Sequence, residues 1–196
     1  MQLPLLPLDN VLFAGCPLDL QLFEPRYLSM LSRCLKQGTG FGVVAILEGH
    51  EVGAAPARFA DIGCEARIID WQQRPNGMLG IRVEGARRFR VEQAQVQPDQ
   101  LTVASVSWLP EPAELALDAS QDDLQALLLA LAEHPRITAM GLDGVVSGQW
   151  QLANQLGYLL PFSLAQKLEL LGVNEPHASL QLIQRWLAQM QGEMLA

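Results

Sequence analysis

Residues 20–31 read LQLFEPRYLSML, and they mark the point where a strand-like apolar run gives way to a helix. Pro25 suits the first turn of a helix, because the N–H that proline lacks has no partner there. Apolar residues then recur at helical spacing, at Tyr27, Leu28, Leu31 and Leu35. Gly38 is placed to end the element, since glycine accepts the left-handed conformation common after a helix. The stretch therefore predicts a strand followed by a helix.

The charged residues inside this stretch admit two interpretations. Glu24, Arg26 and Tyr27 could form an active site, or they could be the ordinary chemistry of a helix start. In the second interpretation Glu24 caps the helix and Tyr27 is buried. Arg26 then lies near the positive end of the helix dipole, where its charge is unfavourable, so we expect a carboxylate partner. The candidate partners are Asp19, Glu24 and Asp70.

Short apolar runs separated by turn residues surround this helix. The predicted strands cover residues 41–49, 64–72, 78–85, 87–93 and 101–109. Asn76-Gly77 joins two of them and is a strong hairpin signal, because both positions of the favoured turn take positive φ. Short strands at this spacing predict a small barrel or sandwich.

Beyond the proline-containing residues 110–115 the apolar period becomes helical. Four helices are expected, beginning near Ser120, Trp150, Ser163 and Pro176. Ser163 with Gln166 forms the sequence signature of a capping box. The chain is therefore predicted to be α+β, with domains at residues 1–112 and 113–196.

Composition narrows the class of protein. The chain has 196 residues, 49% of them apolar, and no apolar run of the roughly 20 residues that a bilayer crossing needs. Its start, MQLPLLPLDN, lacks the basic region of a signal peptide, so we expect a cytoplasmic protein without a membrane segment.

Cys16, Cys34 and Cys64 are widely spaced and are expected to be buried thiols. No metal site and no cofactor are expected, because the histidines lie far from the cysteines in sequence.

Charge and motifs argue against several kinds of site. Residues 1–110 carry 10 basic and 11 acidic side chains, whereas residues 111–196 carry 3 and 10. An acidic half repels phosphate backbones, which makes nucleic acid an unfavourable partner. A phosphate-binding GxxxxGK[ST] loop is missing from the sequence. Ser163 and Lys167 stand four apart as in a Ser–Lys dyad, but the capping box is the stronger interpretation of Ser163.

One basic cluster leaves an alternative open. Its members are Arg82, Arg87, Arg88 and Arg90. On a pair of strands they could form a positive patch for RNA or for an acidic peptide. Interleaved acids such as Glu84, Glu92 and Glu65 favour an ordinary solvated strand face instead.

Several of these motifs together resemble one family. LPLLPLDNVLFAGCPLDLQLFEPRYLSML (3–31) is similar to the opening of the Lon protease N-terminal domain, and FGVV (41–44), GCEARIID (63–70), VEGARRFRV (83–91) and WQLANQLGYLLPFSLAQKLELLG (150–172) continue the match. The residues of the motifs that we expect to be structural are Phe23, Glu24, Pro25, Arg26, Tyr27, Gly85 and Arg88. Ala14 departs from the family pattern, which usually has proline at that position.

The resemblance implies a fold and a function. The fold would be a PUA-like β pseudo-barrel with one inserted helix, followed by a C-terminal α-helical bundle. The function would be recognition of unfolded or partner protein segments, as in an adaptor of protein quality control. It would not include catalysis, because the sequence ends at Ala196 with no ATPase or Ser–Lys protease motif. The alternative is an RNA-binding PUA-like protein.

The expected mechanism of recognition is simple. A strand edge accepts the backbone of a bound segment, and an apolar groove accepts its side chains. The candidate contact residues are Phe23, Trp71, Met78 and Leu79. Apolar strand residues are more often core than contact, so each of these four competes with a purely structural role.

Overall fold

A computed structural model describes residues 1–75 and 78–194 of the chain, with the backbone alone for residues 193 and 194. The chain divides into two compact units, Met1–Leu109 and Pro110–Ala196. The boundary predicted from the sequence, between residues 112 and 113, falls in the same connecting segment. In the described part of the chain, no helix has both the length and the apolar character that a bilayer crossing requires.

The first unit contains the strands and one long helix. Its elements are β1 (Gln2–Leu8), β2 (Pro17–Leu22), α1 (Pro25–Gln37), β3 (Phe41–Glu48), β4 (Arg58–Gln73), β5 (Leu79–Val96) and β6 (Thr102–Trp108). The second unit is helical. Its elements are a 3-10 turn (Ala119–Gln121), α2 (Asp122–Ala132), α3 (Pro135–Ala139), α4 (Gln149–Leu159), α5 (Leu164–Gly172) and α6 (Pro176–Met194).

The described strands form one sheet in the order β2-β5-β4-β3-β1-β6. β6 also pairs with β5, so the sheet bends back on itself and becomes ring-like without forming a regular barrel. β1 and β3 are parallel, whereas the other pairs of strands are antiparallel. This confirms the predicted α+β class, with a pseudo-barrel, an inserted helix and helices at the C-terminal end.

Periodicity alone did not predict β1, because Pro4 and Pro7 interrupt it. Proline has no N–H for a ladder and is normally confined to strand edges. Here residues 2–5 pair with β6 on one side, and residues 5–8 pair with β3 on the other. Each proline therefore lies where the strand is paired on one side only, which is the edge position that tolerates proline.

The two strands predicted at residues 78–85 and 87–93 are in fact one continuous strand, β5. Gly85 suggested a break between them, but it serves a close approach instead. The backbone N–H of Gly15 donates to the Gly85 carbonyl at 2.8 Å. A Cβ on Gly85 would lie 2.0 Å from the carbonyl oxygen of Phe13. The glycine is required because another segment of backbone crosses directly over the strand.

The hairpin prediction is tested only in part. Asn76 and Gly77 lie outside the described residues. The strands on either side do pair antiparallel as predicted, with Gln73 opposite Leu79. Beyond that pair, the Arg74 N–H donates to the Met78 carbonyl at 2.9 Å.

Helix α1 begins and ends as its sequence predicts. Pro25 occupies the first turn, and Gly38 adopts φ 64° at the C-terminus. Tyr27, Met30 and Leu31 are buried and belong to the larger apolar core of the first unit. The strand side of this core includes Phe41, Val43, Ile81 and Val83.

The second unit is helical where the sequence predicts a helical period. Leu124 and Leu128 of α2 are buried, and the Ser163–Gln166 capping box before α5 is present. Asp118, rather than Ser120, caps the turn that precedes α2. Pro135 ends α2 as predicted, but it also begins α3, which periodicity could not indicate because it is only 5 residues long.

Replacing Gly85 with alanine is expected to destabilise the first unit by about 3 kcal/mol, because the new methyl group collides with backbone rather than with a flexible side chain. Urea unfolding followed by circular dichroism measures the change. Gly80→Ala on the same strand is the matched control, since its Cβ would meet the Arg74 side chain at 3.1 Å, and that side chain is free to move. Equal stability of the two variants would contradict the close-approach explanation.

Candidate functional site

The structure separates the four predicted contact residues into two groups. Phe23 and Trp71 are exposed over 51% and 53% of their surface. Met78 and Leu79 are only partly exposed, and Leu79 packs against the larger core. Phe23 and Trp71 are thus the two large apolar side chains of the group that a partner could reach, and contact by any of the four stays a prediction.

Trp71 lies on a three-stranded part of the sheet. It is opposite Ile81 of β5, which is opposite Leu20 of β2. Residues opposite one another in antiparallel strands share a face. At about 4.8 Å between strands, Trp71 and Leu20 are roughly 10 Å apart across the sheet. Phe23 follows β2 directly, so both aromatic residues belong to the β2-β5-β4 part of the sheet.

The buried Arg26 guanidinium organises the chain beside Phe23. Arg26 is 5% exposed, and its Nη1 donates to the carbonyl oxygen of Gln100 at 2.9 Å. Its Nη2 lies 3.0 Å from Glu24 Oε2 as an ion pair. The guanidinium carbon also lies 4.5 Å from the centre of the Tyr27 ring. Arg26 therefore has the carboxylate partner that the sequence predicted, and that partner is Glu24.

Glu24 differs from its predicted role. It occupies the capping position of α1, but its side chain makes no capping hydrogen bond. The carboxylate turns instead to Arg26, and Oε2 also accepts from the Gly53 N–H at 3.3 Å. The orientation of the carboxylate agrees with the greater strength of a hydrogen bond between two charged groups.

The loop between β3 and β4 is held by Glu24 and Gln100, the two residues that also bond to Arg26. Gly53 bonds to Glu24, and the Ala55 N–H donates to Gln100 Oε1 at 3.4 Å. These bonds hold Val52, which is 57% exposed, next to the segment that carries Phe23. Periodicity could not indicate Val52, because a single apolar residue in a loop with glycines on both sides forms no pattern. We call Phe23, Val52 and Trp71 the exposed apolar set.

The four arginines of β5 do not share one open face. Arg82 forms a double hydrogen bond with Asp19, both at 2.7 Å, and its guanidinium holds the pKa of that carboxyl below its usual value. Arg87 pairs with Glu65 at 3.1 Å. Arg88 is fully buried. With Arg82 and Arg87 paired to acids and Arg88 buried, the positive patch that the RNA alternative requires is not favoured.

The residues considered for catalysis have structural partners. Ser163 Oγ accepts from the Gln166 N–H at 3.3 Å and donates to Gln166 Oε1 at 3.0 Å. Lys167 Nζ donates to the Tyr158 carbonyl at 2.9 Å, so the two do not form a dyad. Burial raises the pKa of the Cys34 thiol, which disfavours the nucleophilic thiolate.

The cysteines and possible metal ligands can be placed as well. Cys16, Cys34 and Cys64 are all buried, as predicted, and none is in a disulfide. Among residues 1–75 and 78–194, no group of three or more His, Cys, Asp or Glu side chains is arranged to hold a metal ion.

Comparison with known proteins places the chain in one family. The model described as ATP-dependent protease La (LON) substrate-binding domain matches residues 2–189. The Lon protease of Cytophaga hutchinsonii is 32% identical over 135 residues, which is 67% of this chain and 16% of that protein. Protein cereblon of Xenopus tropicalis is 31% identical over 114 residues, or 56% of this chain and 24% of that protein. The chain thus spans less than a quarter of the length of these relatives.

Solved structures agree with the fold. A Lon N-terminal domain protein from Xanthomonas campestris is similar with a TM-score of 0.77 and 33% identity, over 95% of this chain and 98% of that one. The N-terminal domain of Lon protease from Mycobacterium avium complex has a TM-score of 0.65 at 20% identity, over 96% and 98% of the two chains. The second likeness shows the fold alone.

Replacing Arg26 with alanine is expected to lower the free energy of unfolding by about 2 kcal/mol and to lower the melting temperature, because a buried charged hydrogen bond and an ion pair are lost together. Thermal and urea unfolding followed by circular dichroism measure the effect. Arg33→Ala, an exposed position on the same helix, is the matched control and should change stability by less than about 0.5 kcal/mol. An Arg26 variant as stable as the control would contradict the central role of this guanidinium.

Proposed function

The chain belongs to the family of LON substrate-binding domains, and from this premise we propose that it is a non-catalytic module that binds unfolded or partially folded protein segments. The observation that carries the proposal is the exposed apolar set. Phe23, Val52 and Trp71 are each more than half exposed. Exposed apolar side chains that act together are typical of protein-interaction surfaces.

The sheet supplies a second kind of contact. β2 stands at the end of the strand order, and in the described part of the chain its only strand partner in the ladder is β5. Its other edge therefore presents backbone N–H and carbonyl groups to an incoming segment. An extended segment that pairs with such an edge gains backbone hydrogen bonds whatever its sequence.

Together the two contacts suit a ligand without a fixed sequence. Unfolded segments expose apolar side chains and unpaired backbone groups at the same time. Phe23 follows the end of β2, so a segment lying along that edge would pass the aromatic ring. We propose that aromatic contacts provide most of the affinity and that the strand edge orients the bound segment.

The proposal includes an adaptor role in protein quality control. An adaptor needs to bind its client and release it unchanged, so it needs no catalytic group. This agrees with the partners of Ser163 and Lys167, which bond to Gln166 and to the Tyr158 carbonyl. The proposed ligand is accordingly a protein segment, and no cofactor is part of the mechanism.

The double variant Phe23→Ser, Trp71→Ser is expected to bind an unfolded model protein at least about tenfold more weakly than the unaltered chain. Tenfold corresponds to about 1.4 kcal/mol, which is less than the roughly 2 kcal/mol lost when one aromatic hot-spot residue is truncated. Fluorescence anisotropy with labelled casein measures the dissociation constant. The melting temperature should change little, since both side chains are exposed.

Val145→Ser is the matched control for this experiment. Val145 is 67% exposed and lies in the second unit, outside the proposed surface. The affinity of the Val145→Ser variant for casein should equal that of the unaltered chain. If the double variant binds casein as tightly as the unaltered chain does, the assignment of the binding surface is wrong. Cleavage of casein by the purified chain, with or without ATP, would overturn the non-catalytic part of the proposal.

A further inference from the structure

A groove of about 790 Å³ lies in the first unit, apart from the exposed apolar set. It is bounded by α1 and by strands β1, β4, β5 and β6. Its apolar lining comes from Leu3, Met30, Leu35, Ile68 and Val103. Pockets of about 300–1,000 Å³ hold ligands of drug size, so this groove has room for a few residues of an extended chain.

The charge of the groove is opposite to that of the chain. Arg33, Arg67 and Arg87 line it together with one acid, Glu65, so three positive charges and one negative charge leave a net of +2. The whole chain carries −8. A locally positive groove on an acidic protein attracts anionic groups and repels cationic ones.

Two of the three arginines remain available to a ligand. Arg87 pairs with Glu65 at 3.1 Å and lies 3.8 Å above the Trp108 ring. Arg33 and Arg67 are exposed. Neither makes an ion pair or a side-chain hydrogen bond with another described residue. Their guanidinium groups can therefore turn toward a carboxylate without breaking a contact inside the fold.

The end of helix α1 adds a requirement for hydrogen-bond donors. Gln37 and Gly38 line the groove where the helix ends. The last turn of a helix presents carbonyl groups and partial negative charge, which favour N–H donors. A polypeptide offers N–H groups, apolar side chains and carboxylates within a few residues, so it matches all parts of this lining.

We propose that this groove binds an extended polypeptide segment in which an apolar side chain lies next to acidic residues. The apolar side chain would occupy the lining formed by Leu35, Ile68 and Val103, and the carboxylates would contact Arg33 and Arg67. The inference rests on the proposed function in that the ligand is a protein segment. It adds a second binding site and a charge preference that the exposed apolar set does not supply.

Nucleic acid fits the same groove less well. Proteins that bind single strands stack bases on aromatic side chains, and none of the described residues that line the groove is aromatic. The lining is mainly apolar, whereas a phosphate backbone needs a continuous series of cations. Two available arginines suit one or two carboxylates better than a polyanion.

Three short peptides test the proposal. They share one apolar sequence and differ only in flanking residues, which are glutamate, glutamine or lysine. Anisotropy of the labelled peptides gives their dissociation constants at low and at physiological salt. The glutamate peptide should bind the unaltered chain at least about tenfold more tightly than the lysine peptide. The preference should shrink as salt increases, because exposed charges are screened.

Two variants locate the effect. Arg33→Gln with Arg67→Gln should abolish the preference for the glutamate peptide. The matched control is Arg58→Gln, an exposed arginine that does not line the groove, and it should keep the preference. Equal binding of all three peptides, or an unchanged preference in the double arginine variant, would overturn the inference. So would a labelled RNA oligonucleotide that binds more tightly than the glutamate peptide and loses binding in the same variant.

Casein binding separates this inference from the proposed function. If casein binds and depends on Phe23 and Trp71 while the peptides show no charge preference, the groove proposal alone fails. If the unaltered chain binds neither casein nor any peptide, both proposals fail. Unfolding of each variant in urea verifies that the substitutions act on binding and not on the fold.

Discussion

Burial of the Arg26 guanidinium is the constraint on which the first unit depends most directly. A cation removed from water needs compensation from several directions, because no single contact replaces its hydration. Here the compensation comes from Glu24, from the Gln100 carbonyl and from the Tyr27 ring. Gln100 adopts φ 68°, a backbone conformation that is unfavourable for any residue other than glycine. The turn between β5 and β6 accepts this strain at the residue that completes the arginine's surroundings.

An aromatic residue stays exposed directly before the helix that carries the buried arginine. A hydrophobic residue just before a helix usually packs back onto its first turns. Phe23 occupies that position but remains half exposed. The residues after it have structural roles, since Pro25 forms the first turn of the helix and the Arg26 side chain is buried. Glu24 also holds the loop that carries Val52. Glu24 thus connects the buried guanidinium with the loop that carries Val52.

Local patterns predicted most of the fold and only part of the site. Helix α1, the strand runs and the Ser163 cap follow from period and turn chemistry, and the need of Arg26 for a carboxylate follows from the helix dipole. Gln100 could not be predicted, because it lies 74 residues from Arg26 in sequence. Gly85 was misread as a break because a close approach and a turn both require glycine. Exposure of Phe23 and Trp71 depends on how other segments pack around them, and the period of the local sequence carries no information about that packing.

The distribution of arginines connects the fold with the two proposed surfaces. Arginines of β5 are used within the fold, where Arg82 pairs with Asp19 and Arg87 with Glu65. Those pairs leave the sheet locally neutral, so apolar contact and a strand edge can act there on segments of any sequence. Arg67 is not part of such an ion pair in the described part of the chain, and with Arg33 it leaves one groove positive. A module built this way would bind broadly through its aromatic residues and select by charge in its groove.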